Sequence, residues 1–164
     1  MIELLAKEQI VEITDAFAQL GWKKPASQYR RYLEEQRTGK RIVLVAALEG
    51  KFAGYLTVVW QSDYPPFKKN GIPEISDFNV LPSYRRQGIG SELIKAAEIL
   101  IRTCSPLAGI GVGMDSDYGA AHILYTKRGY LPDGNGLHYD NRKLKHGDVV
   151  TVDDSLCLHL TKIL

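Results

Sequence analysis

Two glycines, Gly88 and Gly90, follow a pair of arginines and give the clearest indication of a functional site in the sequence. They lie where a strand-like segment ending at Val80 gives way, after a short turn, to a helical pattern. The amides at the start of a helix have no acceptor within the helix, and the helix dipole adds positive charge there. Because glycines let a phosphate approach the main chain and Arg85 and Arg86 add charge, this segment predicts a pyrophosphate site.

Two common phosphate-binding loops do not match this segment. The dinucleotide fingerprint requires a third glycine where Leu93 stands, and the P-loop requires Gly-Lys-Ser/Thr where Gly90-Ser91-Glu92 stands. A Gly-x-Gly pair is also compatible with an ordinary helix start. The residues by themselves therefore indicate a phosphate site without naming its ligand.

Strands alternate with helices in the middle of the chain, and antiparallel hairpins lie at both ends. In chain order the elements are a helix with the apolar stripe Ile10, Ile13, Phe17 and Leu20, a helix over 25–36, an antiparallel hairpin of strands 42–48 and 52–60, a strand over 74–80, a helix over 87–104, a glycine-rich strand over 110–114, a helix over 120–128, and strands over 149–152 and 155–161. This order predicts a mixed α/β sheet with helices on both faces.

Three details of this pattern make specific predictions. In the helix over 87–104, Leu93, Ala97, Leu100, Ile101 and Cys104 form the buried face and Glu98 lies on the solvent face. The glycines that alternate with apolar residues in 110–114 predict that a neighbour approaches that face closely. Residues 61–73 read as a loop, in which Tyr64 and Phe67 either pin the loop to the core or wall a substrate pocket.

Composition limits the class of protein. The chain has 164 residues, of which 45% are hydrophobic and 24% charged, which indicates a single globular domain over residues 1–164. The net charge of +2 argues against a broad nucleic-acid footprint, although Arg142, Lys143 and Lys145 leave a weak nucleic-acid reading open. Two cysteines and four histidines without ligand spacing predict no metal site, and the lack of a leader-like or bilayer-length apolar run predicts a cytoplasmic protein.

Three segments resemble one known family. Arg85-Arg86-Gln87-Gly88-Ile89-Gly90 is similar to the Arg/Gln-x-x-Gly-x-Gly/Ala loop of the GNAT superfamily of acyl-CoA-dependent N-acyltransferases. The preceding strand over 74–80 with Pro82, and the later Leu124-Tyr-Thr-Lys-Arg-Gly-Tyr130, resemble the segments that flank this loop in the family. The three motifs occur in the family's order and extend the resemblance over residues 42–130.

The resemblance implies a mostly antiparallel, twisted sheet that is splayed between two central strands, with acetyl-CoA in the gap. On the family pattern, the strand end at Phe78, Asn79 and Val80 pairs through its backbone with the pantetheine arm. The pyrophosphate is then held by the backbone amides of Arg85, Arg86, Gln87, Gly88, Ile89, Gly90 and Ser91. The cofactor implied is acetyl-CoA as co-substrate, with no metal.

The resemblance also implies two catalytic residues. Glu74 matches a position where several family members carry a catalytic glutamate, and it would take the proton of the acceptor amine unless a water chain does so. Tyr125 matches the family tyrosine near the CoA sulfur, where it would protonate the leaving thiolate or bind the sulfur. Asp77 is expected on the opposite face of the strand from Glu74. The amide near Val80 would polarise the thioester oxygen.

The sequence therefore predicts an acetyl-CoA-dependent N-acetyltransferase that works by direct attack in a ternary complex. The alternative is a non-catalytic acyl-CoA-binding or sensing domain of the same fold, which would not need Glu74 and Tyr125. The acceptor is a small-molecule or peptide amine, and Asp63, Asp133 and Asp140 are candidates to receive its positive charge. Strands at the C-terminal edge make a homodimer plausible.

Overall fold

The computed structural model describes residues 1–164 as two compact units. The first unit comprises Met1–Trp60 and Ile75–Leu100, and the second comprises Gln61–Glu74 and Ile101–Leu164. The strands are β1 (Ile2–Leu4), β2 (Arg41–Leu48), β3 (Lys51–Val59), β4 (Glu74–Val80), β5 (Leu107–Gly113), β6 (Leu131–Tyr139), β7 (Arg142–Lys143) and β8 (Leu156–Ile163). The helices are α1 (Ile10–Gln19), α2 (Ala26–Arg37), α3 (Pro65–Asn70), α4 (Ile89–Arg102) and α5 (Gly119–Lys127).

The strands of the first unit lie in the order β1-β2-β3-β4. The predicted hairpin of β2 and β3 is confirmed, with Leu44 opposite Leu56 in an antiparallel register. Its turn at Glu49 and Gly50 has φ of 51° and 76°, which is the backbone geometry that matches the twist of a tight hairpin. β1 was not predicted, because three residues are too few to show a periodic pattern.

An aromatic core lies where α1 and α2 cover one face of this hairpin. Its rings are Phe17, Tyr29, Tyr32, Phe52 and Tyr55, all buried and packed mostly edge to face. Every residue of β3 from Phe52 to Val58 is buried, so both faces of that strand are covered. The stripe predicted for α1 is correct except at Leu20, which is 40% exposed because the helix ends one residue earlier.

The buried stripe of α4 differs from the prediction at Glu98 and Cys104, and Leu100 is only half-buried. Leu93, Ala97 and Ile101 are fully buried as expected. Glu98 is buried as well, because it follows Ile94 by one helical turn and shares its face. Cys104 is exposed because the helix ends at Arg102 and the thiol lies in the turn that follows.

The strands of the second unit lie in the order β5-β8-β6-β7. β8 pairs antiparallel with β5, with Gly111 opposite His159, and with β6 on its other side. The strand predicted over 149–152 is wrong, since these residues form no strand and Val149 is 95% exposed. β6 was not predicted because Pro132, Gly134 and Gly136 are turn residues, and its register against β8 shifts between Pro132 and Leu137.

The segment over 61–73 is more ordered than predicted. It contains α3, which begins at Pro65 and ends at Gly71 in the left-handed conformation with φ of 61°. Tyr64 and Phe67 are each 1% exposed and pack with Ile72, so they pin the segment to the core.

The mixed α/β class predicted from the sequence is confirmed. None of the helices combines the length and the apolar composition needed to cross a membrane.

Candidate active site

The loop between β4 and α4 has the geometry expected of an anion site. After a short 3-10 turn over Pro82–Tyr84, Arg86 and Gly88 both take positive φ, 59° and 84°. At this end of α4 the amide of Glu92 donates to the carbonyl of Gly88 at 3.0 Å. The amides that precede Glu92 at this helix start therefore have no intrahelical acceptor and are available to a ligand.

The side chains over 85–87 are exposed, and two of them bind nearby backbone carbonyls. Arg85 Nε donates to the carbonyl of Val80 at 3.1 Å, and its guanidinium lies 5.9 Å from the ring centre of Trp22. Gln87 Nε2 donates to the carbonyl of Ser83 at 3.0 Å. The loop carries positive charge and no carboxylate from 81 to 91, so an anion meets no like charge within it.

The backbone at the end of β4 packs closely against Gly54 in β3. A Cβ added to Gly54 would stand 2.5 Å from the carbonyl oxygen of Asn79 and 3.0 Å from Cα of Val80. The amide of Leu81 donates to the carbonyl of Ala53 at 2.9 Å. Phe78, Asn79 and Val80, the residues predicted to meet the pantetheine arm, are all half-buried on this strand end.

Asp77, which is expected on the opposite face of β4 from Glu74, accepts hydrogen bonds from a network of side chains in the first unit. Its carboxylate is largely buried and accepts hydrogen bonds from Lys24, Gln28, Tyr32 and Tyr55. Burial acts to raise the pKa of Asp77, but the charge of Lys24 and the hydroxyl donors outweigh it and hold the pKa below its ordinary value. Sequence reasoning missed this network, because its members are dispersed over residues 24–77.

Glu74 begins β4 and is half-buried in the second unit. Its Oε2 accepts a hydrogen bond from Oγ of the buried Ser62. Its Oε1 would lie 3.5 Å from a Cβ at Gly111, and Nε2 of His159 would lie 3.3 Å from the same point. The glycine in β5 therefore leaves a small space bordered by a carboxylate and an imidazole.

Tyr125 lies on α5 in the second unit and is only 5% exposed. Its ring centre is 6.2 Å from that of Tyr130, which follows the helix. Burial, and to a lesser extent Tyr118, raises the pKa of the Tyr125 hydroxyl above its ordinary value. The phenol is therefore protonated at neutral pH and is able to donate a hydrogen bond.

A buried aromatic group in the second unit was not anticipated from the sequence. The rings of Tyr64 and His159 are stacked with centres 3.5 Å apart, and His138 meets Tyr64 edge on at 4.7 Å. Tyr64 donates its hydroxyl proton to Asp133 at 2.7 Å. Burial, followed by the neighbouring His138, lowers the pKa of His159 to about 4. No three His, Cys, Asp or Glu side chains come together in a way that would hold a metal ion.

The sequence and the fold together define a family. The model of the acetyltransferase (GNAT) family matches residues 7–130. The chain therefore belongs to the GNAT acetyltransferase family. No curated protein sequence matches the chain.

Several solved structures share the fold over nearly the whole chain. A ribosomal-protein-alanine N-acetyltransferase from Brucella melitensis is 19% identical with a TM-score of 0.71, and the match covers 100% of this chain and 99% of that one. A Salmonella typhimurium protein solved with its cofactor acetyl-CoA is 17% identical with a TM-score of 0.70, covering 99% and 92%. An aminoglycoside 6'-N-acetyltransferase complexed with coenzyme A is 15% identical with a TM-score of 0.67, covering 99% and 96%. At these identities the likeness establishes the fold.

Proposed function

We propose that this protein transfers an acetyl group from acetyl-CoA to a primary amine by direct attack in a ternary complex. The observation that carries the proposal is the loop over 85–91, where a helix start, two positive-φ residues and two arginines have the geometry and charge suited to an anion in a GNAT chain. Structures of the same fold have been solved with acetyl-CoA or coenzyme A, which supports the same cofactor here.

In this proposal the cofactor is held mainly by backbone. The amides over 85–91 bind the pyrophosphate, and the half-buried strand end over 78–80 pairs with the pantetheine arm. The amide near Val80 donates to the thioester oxygen as negative charge develops there. Arg85 links the loop to the strand end through its hydrogen bond to the Val80 carbonyl.

Glu74 is proposed as the base that takes a proton from the acceptor ammonium. Only the neutral amine attacks the thioester carbon, so this proton must leave before or during attack. The hydrogen bond from Ser62 holds Oε2 of the carboxylate, and Oε1 borders the space beside Gly111. A water chain that ends on Glu74 would serve the same purpose.

Tyr125 is proposed to stabilise the departing sulfur. As the C–N bond forms and the C–S bond breaks, negative charge collects on the CoA sulfur and a hydrogen-bond donor lowers its energy. Burial raises the pKa of the Tyr125 hydroxyl and makes it a weaker acid. We therefore expect this hydroxyl to donate a hydrogen bond to the sulfur without transferring its proton completely. The thiolate then takes its proton from solvent or from the amine.

The acceptor is proposed to be a small-molecule or peptide amine. Ribosomal-protein and aminoglycoside acetyltransferases are both among the structures that share the fold. Of the candidate carboxylates, Asp133 is already bound by Tyr64 and Asn135, whereas Asp63 and Asp140 are exposed. Asp63 and Asp140 are therefore better placed than Asp133 to meet a cationic substrate.

The test is amine-dependent release of free thiol from acetyl-CoA, measured over a panel of small amines and peptide N-termini. Tyr125→Phe is expected to lower kcat by about 10²-fold, the usual cost of removing one hydrogen-bond donor from developing negative charge, with little change in acetyl-CoA affinity. Tyr130→Phe, which removes a hydroxyl from the neighbouring ring, is the control and should retain activity. Acetyl-CoA binding without thiol release on any amine would support the sensing domain instead.

A further inference from the structure

The buried carboxylate of Asp77 collects an unusual number of donors for a side chain in the middle of a strand. Its Oδ2 accepts from Gln28 Nε2 at 2.8 Å, from Tyr32 Oη at 2.9 Å and from Tyr55 Oη. Its Oδ1 accepts from Lys24 Nζ and from Asn79 Nδ2 at 2.9 Å. These donors come from α2, from the segment before it, from β3 and from β4 itself.

The backbone at Asp77 is equally unusual. Its φ is 45°, in the left-handed region, although β4 continues on both sides of it. Asp and Asn tolerate this region better than most residues, yet it remains costly and persists only where surrounding contacts impose it. The hydrogen bonds to the Asp77 carboxylate are such contacts, because they attach the residue to three other segments of the first unit.

A reversed φ at one strand residue changes the direction of the backbone that follows it. Here the following residues are Phe78, Asn79 and Val80, and their backbone approaches Gly54 so closely that no Cβ would fit there. The side chain of Asn79 also returns to Asp77, which connects the strand end to the same carboxylate. The position of this strand end therefore depends on the network around Asp77 on one side and on Gly54 on the other.

We propose that Asp77 is a positioning residue for the cofactor, in that its network sets the backbone over 78–80 for pairing with the pantetheine arm. This inference rests on the proposed function, which assigns that strand end to acetyl-CoA. Asp77 itself touches neither substrate nor reacting atoms. Removing a donor from its carboxylate should therefore weaken acetyl-CoA binding while leaving the loop over 85–91 unaltered.

The test uses substitutions at the donors, so that β4 and the phosphate loop keep their own residues. Lys24→Met and Tyr55→Phe each remove one donor, and Lys24→Arg retains both charge and donor. We expect the Kd for acetyl-CoA, measured by calorimetry well below the unfolding temperature, to rise at least about threefold in the first two variants, on the order of 0.7 kcal/mol. Lys24→Arg should bind within about twofold of wild type, which a purely structural disturbance would not predict.

Stability and binding must be separated in this series. Ile13→Val trims a fully buried core side chain of the first unit and should cost stability without changing the Kd. Tyr32→Phe, which removes one neutral donor, replaces Lys24→Met if that variant fails to fold. Unchanged affinity in folded donor variants would overturn the role of Asp77 alone, whereas wild-type protein that binds no acetyl-CoA would overturn the proposed function together with it.

Discussion

At the scale of single residues, Glu74 and Tyr125 are held in different ways. Glu74 is half-buried, and a hydroxyl from Ser62 binds one of its oxygens, which restricts its rotamer without neutralising its charge. Tyr125 is nearly inaccessible, and its burial keeps the phenol protonated. The first arrangement is suited to accepting a proton and the second to donating a hydrogen bond.

Replacement of Glu74 by Gln keeps the size of the side chain and removes its ability to accept a proton. We expect kcat to fall by about 10²-fold, while acetyl-CoA binds within about twofold of wild type. Ser62→Ala, which leaves the carboxylate in place and removes its hydroxyl partner, should cost much less. Steady-state thiol release measures all three proteins, and full activity in Glu74→Gln would assign the proton transfer to water.

The candidate phosphate loop over 85–91 could be located from the sequence because the features that define it are local. Gly88, Gly90 and the arginines lie within six residues, and the orphan amides of a helix start follow from the helix itself. The network of Asp77 could not be predicted, because its donors at 24, 28, 32 and 55 meet only after the first unit has folded. The alternation of side chains along a strand predicts which face of the sheet a residue lies on. It does not predict a positive φ at that residue.

Among the helices and strands, the glycines of β5 mark places where a neighbouring ring packs directly against the strand. The sequence predicted that something approaches this strand closely, and the structure confirms it. A Cβ at Gly109 would collide with the ring of Phe67, and one at Gly113 would collide with the ring of Tyr118. These rings lie on α3 and just before α5, so the glycines determine how closely both pack on the strand.

Gly109→Ala is therefore expected to destabilise the protein by about 1–3 kcal/mol, because a methyl group must displace a fully buried ring. Gly119→Ala is the control, since nothing lies within 4 Å of its Cβ and its φ of −55° is helical. That substitution should be neutral or stabilise by up to about 1 kcal/mol. Thermal unfolding compares the two variants, and equal melting temperatures would mean that the ring of Phe67 moves aside at little cost.

The elements that sequence reasoning missed are those whose residue types favour another structure. β6 contains one proline and two glycines, yet β8 beside it supplies partners for residues 131–132 and 137–139, on either side of the glycines. The segment over 149–152 has the β-branched residues of a strand but no partner, and it remains irregular. Local preference and tertiary pairing thus disagree at both places, and pairing decides the outcome.

At the scale of the whole molecule, the buried histidine links stability to pH. His159 is 4% exposed and stacked on Tyr64, and burial together with His138 lowers its pKa from 6.5 to about 4, against the opposing charge of Asp133. Between these two values the unfolded chain binds a proton that the folded protein does not. Stability should therefore fall as the pH is lowered from 6.5 to about 4.

The size of this effect follows from the shift and is about 3 kcal/mol over the full window. Urea unfolding at a series of pH values measures it. His159→Phe retains a planar ring against Tyr64 and cannot titrate, so its unfolding free energy should change much less over the same range. An equal slope in the variant and in wild type would place the titrating group elsewhere. Asp77 and Asp133, whose pKa values are lowered, contribute only at still lower pH.

Calorimetry on three proteins tests whether the loop over 85–91 binds the pyrophosphate of acetyl-CoA. Wild type is expected to bind acetyl-CoA in the micromolar range. Gly88→Asn tolerates the φ of 84° and should retain most of the affinity, whereas Gly88→Glu adds negative charge to the site and should abolish binding. Wild-type protein that binds no acetyl-CoA, or Gly88→Glu that binds as tightly as Gly88→Asn, would contradict the assignment of this loop.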